Sequence, residues 1–150
     1  MGTSFTTFQG KGFWANDGIL EVWLYLLASE INSILDVPDW LAQAQDEWLM
    51  MAQIGLTGSI HANLDGLLTT PQKKEQVIKL AQQTTTSLEA YGPLLSPEML
   101  NAMDIGGTGS YFTRDVETDL FLQIGRAFVS LLKGELSTDS STSPTLSLIT

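Results

Sequence analysis

The 150-residue chain carries 17 acidic and 7 basic side chains, a formal net charge of −10, and no cysteine. A chain of this length forms one domain that buries roughly 68–70% of its unfolded surface. The lack of cysteine excludes disulfide frameworks, Cys-ligated zinc and thiol nucleophiles, and so acidic a chain is not expected to bind nucleic acid, whose phosphates call for clustered Lys and Arg.

Residues 1–16 place Phe5, Phe8, Phe13 and Trp14 among Thr and Gly without a helical period. They read as an extended aromatic strap lying across helices. Asn16 or Asp17 then offers an N-cap for a helix over about 17–35, in which Glu21 is the one polar residue between Ile19 and Ala28. A helix that is apolar all round belongs at the centre of a domain. Its uninterrupted apolar run, Val22 to Ala28, is far short of the roughly 20 residues a bilayer demands. No membrane association is expected, and we read the protein as cytoplasmic.

Asp36-Val37-Pro38-Asp39 breaks the chain and restarts it. The second helix, about Pro38 to Leu56, puts Leu41, Ala44, Trp48, Met51 and Gly55 on one side and Asp39, Gln43, Asp46, Glu47 and Gln53 on the other. Met50 and Met51 are adjacent, about 100° apart around a helix, so both cannot occupy one narrow stripe. One of them is a candidate for a partner surface, where Met is over-used. Residues 57–70 read as a connection with a short helical turn near Ile60 to Leu64. Thr70-Pro71 opens a third helix that Gly92-Pro93 ends, with fraying expected at the β-branched run Thr84-Thr85-Thr86. Ser96-Pro97 begins a short helix to about Met103. A glycine-rich loop follows, and Thr113 is read as the cap of a last helix, Arg114 to Lys133. The fold expected is all-α, a single-domain bundle of four long helices with one or two short ones around the central helix. It occupies residues 1–134, followed by a Ser/Thr-rich tail over 135–150.

Little in the chain points to a reaction. His61 is the only histidine, so every His-dependent mechanism must use it. Gly106, Gly107 and Gly109 match neither a P-loop nor a dinucleotide fingerprint. No cofactor and no metal site is expected. Charge is the clearer signal, because no Lys or Arg lies between Gly12 and Gln72, a stretch with eight Asp and Glu. The function expected is therefore non-enzymatic: docking of a basic protein partner, steered by Glu30, Asp36, Asp39, Asp46 and Glu47 and anchored by Trp40. An inhibitor or immunity-type protein that neutralises a cationic enzyme is one concrete form. Two alternatives stand beside it. One is an enzyme or small-ligand binder with a pocket near His61 and the Gly106–Gly109 loop. The other is a structural homo-oligomer built on Phe121 and Leu132 of the last helix.

Overall fold

The computed structural model describes residues 2–56, 58–107 and 111–136. The tail expected over 135–150 lies outside these from residue 137 onward. Among the described residues the architecture is mostly helical but mixed, which corrects the all-α expectation: two small antiparallel sheets accompany six α-helices.

The first departure is at the N-terminus. The segment expected as an extended strap is a hairpin, β1 (Thr3–Phe8) paired with β2 (Lys11–Asn16). Ser4, Thr6 and Phe8 alternate inward while Thr3 and Thr7 face out, the period of two that a half-buried strand requires. Gln9 and Gly10, both at positive φ (52° and 83°), form the two-residue turn whose twist suits such a hairpin. Asp65 holds this turn by accepting from the Gln9 N–H at 3.0 Å. On the outer face Phe5 lies opposite Trp14, ring centroids 5.1 Å apart. Phe5 also fills the space above Gly12, where a Cβ would meet its ring at 2.5 Å.

Helix α1 (Asp17–Glu30) follows directly, capped by Asn16 Oδ1, which accepts from the Ile19 N–H at 3.2 Å. A 3-10 turn over Ile31–Ser33 ends the segment. Between Ile19 and Ala28 every residue is buried except the half-buried Tyr25 and Leu26. Helix α2 (Asp39–Ile54) packs on one side of α1, and α4 (Pro71–Ala90) and α6 (Thr118–Leu132) pack on another. Trp23 sits at the junction, 5.6 Å from the Phe128 ring. Complete burial of such a side chain is worth about 1.5–3 kcal/mol. The short α3 (Leu64–Leu67) lies against β1.

Helix α4 runs unbroken through Thr84–Thr86. Each of the three hydroxyls donates back to a helix carbonyl, Thr84 to Leu80 and both Thr85 and Thr86 to Gln82. The last helix also starts later than the cap at Thr113 implied. Leu94–Leu95 (β3) pairs with Val116–Glu117 (β4), and the Thr118 N–H donates to the Pro93 carbonyl, so the chain stays extended until Thr118. Between these strands, α5 (Pro97–Asn101) is capped by Ser96, whose Oγ accepts from the Met99 N–H. Among the described residues, no helix is long and apolar enough to cross a membrane.

Candidate functional site

Helix α2 offers the clearest outward face. Asp39, Gln43, Asp46, Met50 and Ile54 recur at three- and four-residue steps and form one exposed stripe. Its first half is acidic. Its second half is apolar, with Met50 47% and Ile54 51% exposed, followed by the exposed Leu56. Met51 is buried, so Met50 is the methionine that reaches the surface. Among the described residues the one ion pair joins Arg126 to Asp119; none of the carboxylates of α2 has a cationic partner.

The structure divides the residues picked from sequence. Asp39 and Asp46 stand on the stripe. Glu47 is at its edge, half-buried, and accepts from Gln43 Nε2 at 3.2 Å and Asn63 Nδ2 at 3.0 Å. Glu30 turns towards α4, where it accepts from Ser87 Oγ at 3.1 Å. Asp36 is exposed, at a positive φ of 56°, and lines a separate cleft with Ile34, Leu41 and Lys79. Trp40 is half-buried, with Lys73 Nζ 5.5 Å from its ring centroid. A cation of the chain itself thus lies over this ring.

The alternative pockets fare differently. His61 is exposed, so it contributes to no enclosed site. Phe121 and Leu132, on which a homo-oligomer was expected to be built, are fully buried in the chain's own core. Gly109 lies outside the described residues, but Gly106 and Gly107, at φ 66° and 73°, form a turn against the end of α2. A Cβ on Gly107 would fall 2.9 Å from the Gln53 carbonyl, which keeps this position small.

That turn meets the one carboxyl between Ile19 and Ala28 of the central helix. Glu21 is 3% exposed, and its Oε2 has no hydrogen-bond partner. A Cβ on Gly106 would lie 4.0 Å from that oxygen. Asp17, one helical turn earlier, is also buried but fully engaged. It accepts from Ser4 Oγ and, at 2.7 Å, from the Gly58 N–H, while Ser4 Oγ accepts from the Ile60 N–H. Burial, and after it the charge of Asp17, pushes the Glu21 carboxyl up from its ordinary 4.5 to about 7. Tyr111 packs over Gly18, and its hydroxyl is held above the ordinary range by burial first, then by Glu21 and Asp17. This group can hold or release a proton near neutrality. Among the described residues, no three His, Asp or Glu side chains come together as metal ligands.

No protein-family model matches the chain, and a search of curated proteins and one of solved structures each give no significant match.

Proposed function

We propose that this is a protein-binding module whose α2 stripe receives a basic, amphipathic segment of another protein. The observation that carries the reading is the make-up of that stripe: unpaired carboxylates at Asp39 and Asp46 run into exposed Met50 and Ile54 along one side of one helix. The carboxylates steer a cationic partner and chiefly set the association rate. The apolar end supplies the desolvated contacts that hold it. Inhibition of a cationic enzyme, as by an immunity-type protein, is the concrete form we favour, and we assign the protein to the cytoplasm.

The test compares three proteins whose melting temperatures are measured alongside: the parent, Asp39→Lys with Asp46→Lys, and Met50→Asp. With a basic partner recovered by pull-down and purified, Met50→Asp is expected to weaken affinity about tenfold or more. The double reversal is expected to slow association and to remove most of its salt dependence. Binding indifferent to both variants would overturn the assignment.

One observation favours a second reading, proton transfer at Glu21. A carboxyl near half-ionisation at neutral pH beside a tyrosine hydroxyl suits general acid–base chemistry. It ranks second because a substrate would have to part the Gly106 turn and Tyr111 from α1 to reach a side chain so deeply buried. A reaction abolished by Glu21→Gln in a folded protein would reverse the order.

A further inference from the structure

The connection between α1 and α2 carries the most exposed large apolar side chain among the described residues, Leu35, at 89%. An ordered backbone puts it there. Before it, the Ile34 N–H donates to the Ile31 carbonyl and Ser33 Oγ to the Glu30 carbonyl, closing the 3-10 turn. After it, Asp36 takes a positive φ of 56°, a conformation that Asp tolerates better than most residues. Burial of such a side chain would be favourable, and the chain's own core does not supply it.

Beside Leu35 lies a cleft of about 280 Å³ between this connection and α4. Its floor is apolar, from the half-buried Ile34 and the buried Leu41 and Leu80. Two exposed side chains of opposite charge, Asp36 and Lys79, stand on its rim. They are not paired with each other, and neither makes an ion pair with any described residue. An apolar knob, an apolar hole, an anion and a cation thus share one patch, which makes the patch complementary to itself. A twofold axis through the rim puts the Leu35 of each copy over the cleft of the other and each Asp36 against the partner's Lys79. This is the isologous contact in which one surface serves both copies, and it supplies both charge matches without a second kind of chain.

We propose that this patch joins two copies of the chain in a weak twofold dimer, with Leu35 in the opposite cleft and Asp36 paired with the partner's Lys79. The patch is separate from the exposed stripe of α2 and does not depend on the docking assigned there. One leucine and one ion pair from each copy make a small interface, and a net charge of −10 on each copy opposes association, so the expected Kd is on the order of 0.1–1 mM. Sedimentation velocity of the full chain at physiological ionic strength, from about 10 µM to about 1 mM, tests it. The sedimentation coefficient is expected to rise with concentration towards that of a dimer. Leu35→Asp, at an exposed position, should weaken the dimer about tenfold or more. Asp36→Lys and Lys79→Asp should each weaken it about two- to fivefold. The variant with both changes should regain the parent's affinity, because the swapped charges meet again across the axis. Asp36→Asn, which keeps a residue suited to the positive φ, should weaken the dimer as Asp36→Lys does and so separates charge from backbone. Asp46→Lys changes the net charge as Asp36→Lys does but lies on α2, and it should not weaken the dimer. Three results would overturn the proposal: a monomer throughout the range, self-association indifferent to Leu35→Asp, or a charge-swapped double variant no tighter than the single ones.

Discussion

Replacing Glu21 by Gln removes the one carboxyl inside the apolar part of α1 and changes how stability depends on pH. The folded chain holds the Glu21 proton up to about 7, while the unfolded chain releases it near 4.5. Between those values the native state binds more protons, so stability falls as pH rises. The contribution is fully present below about 4.5 and is lost as pH rises through 7. At about 1.4 kcal/mol per pH unit the whole effect is about 3 kcal/mol, and about 2.5 kcal/mol of it falls between pH 5 and 8.5. That window also stays clear of the isoelectric point near 4.2. Other carboxylates add their own slopes, so the informative quantity is the difference between parent and variant. The Gln amide brings donors that need partners, a roughly constant offset of about 1–3 kcal/mol. Urea unfolding at pH 5, 7 and 8.5 should show the variant gaining about 2.5 kcal/mol on the parent across the window. A difference that stays constant with pH would refute the placement of this carboxyl.

Three further substitutions probe the packing around it. Gly125→Ala puts a methyl 2.6 Å from the Thr85 methyl and 2.8 Å from the Trp23 ring; we expect a net loss of about 1–2 kcal/mol, overpacking outweighing the gain in helix propensity, read as a lower urea midpoint. Trp48→Phe removes the 2.8 Å bond from Nε1 to the Ala62 carbonyl and should cost about 2–3 kcal/mol, the orphaned acceptor and the lost volume together. Asp17→Ala frees Ser4 and the Gly58 N–H at once. It should cost about 3 kcal/mol and speed amide exchange at Gly58 and Ile60, and normal protection at these two amides would count against the network.

The helices were legible because their ends carry local signals. Asn16, Thr70-Pro71 and Ser96-Pro97 each place a capping side chain where its hydrogen bond forms, whereas Gly55, read as part of the second helix, takes the left-handed conformation that closes α2. The sheets were not. Thr3–Phe8 alternates, but its turn is Gln9-Gly10 rather than the Asn-Gly or Asp-Gly that marks a hairpin. The β3–β4 pair has two residues a side, too few for any pattern, and is specified by contacts across α5. The acidic character of α2 was visible as a run without Lys or Arg, but which carboxylates remain free was not. Ser87 and Asn63 approach Glu30 and Glu47 from other elements, and Lys73 covers Trp40. Glu21 stood out as a lone charge in an apolar run. Its neighbours Gly106 and Tyr111 lie far along the chain, and only the fold brings them to it.

The docking assignment is tested most directly by hydrogen–deuterium exchange of the protein with and without its purified partner. Protection is predicted along residues 39–56, strongest around Met50 and Ile54, with the exposed sides of α4 and α6 unchanged. Protection confined to α4 or α6, with the α2 stripe exchanging as in the free protein, would contradict it.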